Sequence, residues 1–189
     1  MKQKEFNLHK KNLLNKKDKS NIGEIDKQVL NLINLINKNK DYVTSSSCSG
    51  RIILVIREEK KNKTRLLLKS HEYINLEEIE AVVEKNNDKN MWFIQEGLIL
   101  HIHTRTLKKA EELREKAKKA GFKKAYFLSV KEKIIVEIKS NEKIETPLFI
   151  KENNINKEFL KILVREANKK LEKNFKQIEK FEKELSGNL

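Results

Sequence analysis

The residue types best suited to chemistry are concentrated in one short segment, residues 41–51, with the sequence DYVTSSSCSGR. From Thr44 to Gly50 every position carries a hydroxyl, the single thiol of the chain or no side chain, and Arg51 follows directly. Small hydroxyl residues beside glycine let backbone amides approach an anion closely. A guanidinium binds a carboxylate or phosphate through two parallel hydrogen bonds. The segment therefore predicts a loop that binds an anionic ligand, or alternatively a solvated turn before a strand.

The one cysteine, Cys48, lies inside this segment. Its distance of three residues from Arg51 is too short for the phosphate-binding loop of a cysteine phosphatase. A nucleophilic role for Cys48 is weaker than its alternative, a small polarizable side chain that lines a pocket. A single cysteine also excludes an internal disulfide and a zinc site built from several cysteines.

Histidines form the second group of candidates. His101 and His103 are two residues apart on a predicted strand, so their side chains face the same side. Together with His71 they could form a metal site, although no cluster of carboxylates is close in the sequence. Alternatively, His71, His101 and Arg105 lie near the ends of strands and contact an anionic ligand beside the Ser/Gly segment. A structural role for each histidine is a third interpretation.

The composition bounds the remaining function classes. A formal charge of +14 over 189 residues favours a polyanionic partner such as nucleic acid, although a compositional bias toward Lys, Asn and Ile would also produce it. Glycine-rich loops that follow a strand are missing, which argues against a dinucleotide fingerprint and a P-loop. No apolar run approaches the ~18 residues of a membrane helix, and no signal peptide is evident. We therefore expect a cytoplasmic, soluble protein.

Hydrophobic periodicity predicts the elements that position these residues. Helices are predicted over 1–17 (basic), 25–38, 75–87, 106–120 and 157–185, with Asn75 and Thr106 as N-caps and Gly121 after a C-terminus. Strands are predicted over 52–57, 64–69, 91–94, 98–104, 122–130 and 133–139, with Pro147 in a loop. The fold class that follows is α+β: a single domain over 1–189 with one mixed, mainly antiparallel sheet and flanking helices. The helix over 157–185 is too long for burial at both ends, so its distal half is expected to project, pack on the N-terminal helix or meet a partner.

The sequence resembles the tRNA wybutosine-synthesizing protein 3 family of archaea and eukaryotes over nearly the whole chain. The matching positions are Asp18, Ser20, Gly23, Ile25, Asp26, Leu35–Asn37, the run Asp41–Ile52 with its SSCSGR core, Ser70–Glu72, Trp92, Phe93, Glu96, Ile99–Ile102, Arg105, Ala110, Ala117, Gly121–Lys123, Pro147, Leu148, Leu163, Val164, Ala167–Lys169 and Asn174. Three positions depart from the family pattern. Gly97 replaces a proline, Thr104 replaces a cysteine and Tyr126 replaces a glycine, and the last change is expected to narrow a pocket or alter substrate fit.

The resemblance implies an S-adenosylmethionine-dependent methyltransferase without a Rossmann fold. Its substrate would be tRNA(Phe), methylated on N4 of the tricyclic wyosine-type base 3′ of the anticodon after the aminocarboxypropyl chain is added. The positive charge would then serve to bind the anticodon stem-loop. A non-catalytic tRNA-binding protein of the same pathway is the alternative, and no metal is expected.

Roles for individual residues follow as hypotheses from this resemblance. The carboxylate of the cofactor, or of the side chain of the base, would be held by Ser46, Ser47, Cys48, Ser49, Gly50 and Arg51. His71 or His101 would be the catalytic base or would orient it. Contacts to the substrate and the RNA would come from Arg105, from stacking on Tyr42 or Trp92, and from Asn168 and Lys169.

Overall fold

The computed structural model describes residues 1–15, 26–57, 64–86, 90–148 and 156–187. Within these ranges the helices are α1 Gln3–Leu14, α2 Lys27–Lys38, α3 Leu76–Glu84, α4 Leu107–Lys119 and α5 Lys157–Ser186. The strands are β1 Tyr42–Cys48, β2 Arg51–Arg57, β3 Thr64–Ser70, β4 Met91–Glu96, β5 Ile99–Thr104, β6 Lys124–Val130, β7 Ile134–Lys139 and β8 Lys143–Leu148. The predicted connection at 18–25 and the predicted turn at 58–63 lie outside the described residues.

The strands form two four-stranded sheets, and every described pairing is antiparallel. One sheet has the order β1-β5-β7-β6 and the other β3-β2-β4-β8. The predicted α+β class is confirmed, but the prediction of one mixed sheet is wrong. Consecutive strands such as β1 and β2 belong to different sheets, and strand periodicity does not reveal which strands pair.

Internal contacts divide the chain into two compact units. The first contains Met1–Ser49, Leu98–Asn141 and Phe175–Leu189, and therefore the sheet β1-β5-β7-β6. The second contains Gly50–Gly97 and Glu142–Asn174, and therefore the sheet β3-β2-β4-β8. The assignment of residues 1–189 to a single domain stays a prediction.

The core of the first unit lies between its sheet and three helical segments. α2, α4 and the C-terminal part of α5 contribute buried apolar side chains at spacings of three and four, among them Val29, Leu32, Ile33, Ile36, Ala110, Leu113, Ala117, Ile178 and Phe181. Phe181 meets Phe122 edge to face, with ring centroids 6.0 Å apart. Of the three alternatives expected for the distal half of the long helix, projection is therefore wrong, because its apolar stripe is part of this core.

The second unit is built around β2, whose residues Ile52–Ile56 are buried. α3 buries Ile79 and Val83, and the first part of α5 buries Leu160, Leu163, Val164, Ala167 and Leu171. Pro147 lies in β8 opposite Trp92, so its placement in a loop is wrong. β8 is an edge strand, where a residue without an N–H donor is tolerated.

Helix boundaries agree with the predicted caps. The Asn75 side chain accepts a hydrogen bond from the Glu78 amide, and Thr106 accepts one from the Lys109 amide. Gly121 follows α4 with φ +101°, the left-handed conformation of a C′ glycine. No helix among the described residues is long and apolar enough to cross a membrane.

The Ser-rich segment is a strand, and the predicted loop is wrong. Thr44 to Cys48 lie in β1, and only Ser49 and Gly50 separate it from β2. Gly50 has φ +111°, and a Cβ there would lie 2.9 Å from the carbonyl oxygen of Glu96. Glycine is required at this position by the backbone of β4 and by the conformation itself.

Replacement of Gly50 by alanine is expected to lower the free energy of unfolding by at least about 2 kcal/mol. The left-handed conformation costs a residue with a Cβ roughly 1–2 kcal/mol, and the Glu96 backbone must also move. Gly121→Ala is the matched control, because φ is similar but the Cβ meets the amide end of Gln177, a flexible side chain. Its expected loss is about 1 kcal/mol. Urea unfolding of both variants measures the two losses of unfolding free energy. Equal losses would show that the Glu96 backbone does not hinder a Cβ at position 50.

Candidate functional site

A row of polar residues crosses the first sheet from edge to edge. Ser46 on β1 lies opposite His101 on β5, His101 lies opposite Glu137 on β7, and Glu137 lies opposite Tyr126 on β6. Directly opposed side chains share one face and come within contact distance. This face is opposite the one that carries the core residues Leu100, Ile102, Val136 and Ile138. The register therefore brings together two predicted residues, Ser46 and His101, with two that were not predicted as partners.

His101 hydrogen-bonds to both neighbours in the row. Its Nδ1 is 2.7 Å from Ser46 Oγ, and its Nε2 is 2.7 Å from Glu137 Oε2. An ionised carboxylate only accepts hydrogen bonds, so Nε2 carries the proton and Nδ1 of the neutral ring accepts from the Ser46 hydroxyl. The Ser46 side chain is exposed. The order serine, histidine, glutamate has the connectivity of a proton relay that ends at the surface.

The Glu137 carboxylate anchors this row. It is 7% exposed and accepts hydrogen bonds from His101, from Lys139 Nζ at 3.1 Å and from the Tyr126 hydroxyl. Burial by itself raises the pKa of Glu137, but these three hydrogen bonds outweigh it, so the pKa lies below its ordinary value. The carboxylate is therefore ionised at neutral pH. Glu137 was not identified from the sequence, and the available signal was a lone acidic residue inside the apolar run IIVEIK.

His103 faces the same side as His101, as predicted, but has a different partner. His103 Nδ1 is 3.0 Å from His9 Nε2 on α1, and the two rings are tilted with centroids 4.9 Å apart. Burial, followed by the charges of His9, Lys133 and His101, lowers the pKa of His103 to about 4. His103 is thus neutral at physiological pH and packs against α1, which supports the structural interpretation for this histidine.

Tyr42 and Arg105 are held by structural partners in the first unit. Tyr42 is 5% exposed within the core, and its hydroxyl donates to the Lys109 carbonyl at 3.1 Å. Its predicted role in stacking on a base is therefore wrong. The Nε of Arg105 donates to the buried Asp41 carboxylate, and the Arg105 amide donates to the Asp41 carbonyl at 2.9 Å. The contact of Arg105 with phosphate stays a prediction.

The hydroxyl segment binds a carboxylate of its own chain. The amide and the hydroxyl of Ser49 both donate to Asp26 Oδ2, at 2.7 and 2.9 Å, and Ser49 is fully buried. The donor pair predicted for a ligand carboxylate is thus engaged within the first unit, which corrects the role of Ser49. Ser47 is exposed and Cys48 half-buried on β1, and their contact with a cofactor stays a prediction.

In the second unit, Arg51 forms an ion pair with Glu96. The two residues are opposite each other on β2 and β4, and Arg51 Nε and Nη2 both donate to Glu96 Oε2, at 3.2 and 3.1 Å. The side chains are 39% and 29% exposed, so both charges can reach a ligand. A paired guanidinium and carboxylate can hold a ligand that carries both a carboxylate and an ammonium group.

His71 follows β3 in the second unit. Its Nδ1 is 2.8 Å from the Gly50 carbonyl oxygen. A carbonyl oxygen only accepts, so Nδ1 carries the proton and the lone pair of the neutral ring is on Nε2. This bond fixes the orientation of the ring, and the catalytic role of His71 stays a prediction.

Two residues predicted to contact the substrate have structural partners in the second unit. The amide of Asn168 both accepts from the Ile74 N–H at 3.1 Å and donates to the Ile74 carbonyl at 2.7 Å. This pair of bonds fixes the chain before α3 and gives Asn168 a structural role, and its RNA contact stays a prediction. Trp92 has the Arg57 guanidinium 4.2 Å from its ring centroid, which covers one ring face. Lys169 is exposed, and its RNA contact stays a prediction.

Comparison with known proteins gives consistent matches over nearly the whole chain. A family model described as Methyltransferase TYW3 matches residues 2–187. A protein of Thermococcus sibiricus named tRNA(Phe) 7-((3-amino-3-carboxypropyl)-4-demethylwyosine(37)-N(4))-methyltransferase is 34% identical over 188 residues, which cover 97% of this chain and 95% of that protein. The tRNA wybutosine-synthesizing protein 3 homolog of Bos taurus is 32% identical over 94% of this chain and 71% of its own length. The solved structure of the PH1069 protein from Pyrococcus horikoshii superposes with a TM-score of 0.87, at 29% identity over 97% of both chains.

The buried His103 is expected to make stability depend on pH. Its pKa is about 4 in the folded protein and about 6.5 unfolded, so the unfolded chain binds more protons between these values. The free energy of unfolding should therefore fall as the pH drops from about 6.5 to about 4, by up to about 3 kcal/mol.

The His103→Phe variant lacks this titration but keeps a planar ring. Urea unfolding of wild type and variant is measured at pH 7.0, 5.5 and 4.5. Carboxylates titrate in both proteins, so the difference in stability between the two isolates the contribution of His103. The stability difference between them should shift in favour of the variant as the pH falls. A stability difference between the two proteins that does not change with pH would contradict the lowered pKa of His103.

Proposed function

Since the chain belongs to the Methyltransferase TYW3 family, we propose that it methylates N4 of the 7-(3-amino-3-carboxypropyl)-4-demethylwyosine base in tRNA(Phe). The family predicted from the sequence is confirmed. The relative from Thermococcus sibiricus is named for this reaction and matches nearly the full length of both chains. The structural observation that carries the proposal is the relay Ser46–His101–Glu137, because it offers a proton acceptor at an exposed surface.

The relay supplies what the acceptor nitrogen requires. When the new N–C bond forms, the N–H bond of N4 must break and its proton must leave. The Ser46 hydroxyl donates to His101, so the lone pairs of its oxygen are available to accept that N–H. As Ser46 Oγ takes the proton from N4, it passes its own proton to His101 Nδ1. The Glu137 carboxylate then stabilises the imidazolium, as the acid of a catalytic triad does.

S-adenosylmethionine, when bound, supplies an electrophilic methyl group on a sulfonium ion. Its amino-acid end carries one carboxylate and one ammonium group. Arg51 and Glu96 fit this end, because the pair presents both complementary charges at a partly exposed position. In the proposal these two residues hold the amino-acid end, with the guanidinium on the carboxylate and Glu96 on the ammonium.

The net charge supports the tRNA substrate. A charge of +14 favours the dense phosphates of an anticodon stem-loop, and such binding weakens steeply as salt increases. Family membership and charge together favour tRNA(Phe) as the partner. A cytoplasmic location stays a prediction.

The decisive experiment supplies the protein with S-adenosylmethionine and tRNA(Phe) that bears the demethylated, aminocarboxypropylated base. Nucleoside mass spectrometry should show one added methyl group on that base. No added methyl group, with tight binding of the tRNA and no binding of S-adenosylmethionine by calorimetry, would support the non-catalytic tRNA-binding alternative.

Removal of the relay is expected to reduce turnover without loss of tRNA binding. His101→Gln and Ser46→Ala should each lower kcat at least about 100-fold, the usual contribution of proton transfer by a positioned group. The dissociation constant for tRNA should stay within three-fold of wild type. His103→Gln is the matched control, because this histidine lies on the same strand and face but bonds to His9. Equal loss of kcat in the control would contradict a specific role of His101.

The cofactor contact is tested by Arg51→Lys. Lysine keeps the charge but cannot form the bidentate fork, so the dissociation constant for S-adenosylmethionine should rise at least about ten-fold. Arg57→Lys is the matched control: Arg57 pairs with Glu145 on the same sheet and has the same exposure as Arg51. Calorimetric titration of both variants gives the comparison, and equal affinities would remove Arg51 from the cofactor site.

A further inference from the structure

Tyr126 ends the polar row on the first sheet and belongs to no step of the relay. Its hydroxyl hydrogen-bonds Glu137, the residue opposite it, and this bond raises the pKa of Tyr126. The residue is nevertheless 41% exposed. One end of the side chain is thus fixed to the sheet while the ring remains open to solvent.

The surroundings of Tyr126 fit single-stranded RNA. Lys124 is exposed two residues before Tyr126 on β6, and Lys139, whose side chain is 36% exposed, lies opposite Lys124 on β7. Cations beside an open aromatic ring on a sheet face form the arrangement in which RNA-binding sheets stack unpaired bases and hold their phosphates. A small uncharged ligand would not need these two lysines.

The distance between Ser46 and Tyr126 along the row decides which base can stack on the Tyr126 ring. Ser46 and Tyr126 are separated by three strand spacings of about 4.8 Å, or roughly 14 Å between their backbones. A base whose reacting nitrogen is at Ser46 is therefore not centred on Tyr126. The ring lies where a neighbouring nucleotide of the same loop would be.

We propose that Tyr126 stacks on a nucleotide that flanks the methylated base in the anticodon loop, and that its hydroxyl bond to Glu137 fixes the ring for this contact. The inference rests on the proposed function for the identity of the RNA. Tyr126 is a substrate-binding residue in this view. It binds substrate and takes no part in proton transfer.

The test is a double-mutant cycle on binding. Tyr126→Ala and wild type are titrated by fluorescence anisotropy with anticodon stem-loop RNAs that are intact or abasic on the 5′ side, on the 3′ side or at the target position itself. Tyr126→Ala should weaken binding of the intact RNA about ten-fold, typical for loss of one stacked base. The same substitution should have almost no effect on the RNA that lacks the flanking base which it contacts. Coupling only at the target position, or at no position, would overturn the proposal.

Two further variants separate stacking from structure. Tyr126→Phe keeps the ring, so RNA affinity should stay within three-fold, and Tyr126→Trp should bind at least as tightly as wild type. Tyr73→Ala is the matched control, because Tyr73 is 54% exposed in the second unit and should show no coupling. Loss of affinity in Tyr126→Phe equal to that of alanine would mean that the hydroxyl matters and not the ring. Binding is measured without turnover, so absence of methylation by wild type would refute the proposed function and leave this test intact.

Discussion

The buried negative charge of Glu137 is the constraint on which the polar face of the first sheet depends. A carboxylate that is almost fully removed from water is stable in its ionised form only when hydrogen-bond donors surround it. His101, Lys139 and Tyr126 supply these donors from three strands. Each donor is in turn oriented by the carboxylate. The tautomer of His101, and with it the direction in which the relay accepts a proton, follows from the charge on Glu137.

The strand register places the partners of Glu137 in one row across the sheet. β7 is an inner strand, so Glu137 has neighbours on both sides, and each neighbour in the row is the residue directly opposite. A shift of one residue in the pairing of β5 with β7 would turn His101 toward the core and place an apolar side chain on Glu137. The apolar residues on the other face of the sheet, buried against α2, α4 and α5, prevent that shift. The packed core thereby fixes the geometry of the relay.

Elements whose signals are local could be predicted from the sequence. The stripe Val29, Leu32, Ile33 and Ile36 of α2 is buried as its spacing predicts, and the caps at Asn75 and Thr106 form within three residues of their partners. Strand pairing is non-local, so the sequence does not separate the two sheets. The serine-rich strand was also missed, because the residues 45–47 are exposed and show no apolar alternation.

The candidate site could be predicted only in part, because strand pairing is non-local here as well. Ser46 and His101 could be named from their types, but Glu137 lies 36 residues beyond His101 and becomes its partner only through the register. Tyr42 and Asn168 have residue types that suit RNA, yet their polar atoms bond the chain itself. Residue type alone does not distinguish a side chain that is open to a ligand from one that satisfies a buried backbone group.

Tyr126 shows how one side chain can affect two properties together. A glycine there would supply neither a donor to the carboxylate nor a ring at the surface. Tyrosine adds a third donor to Glu137 and so favours its ionised state. It also adds an aromatic surface at the same strand position. Because the hydroxyl bond and the open ring belong to one side chain, any gain in RNA contact at this position is coupled to the electrostatics of the relay. A phenylalanine in its place would separate the two properties, and a glycine would remove both.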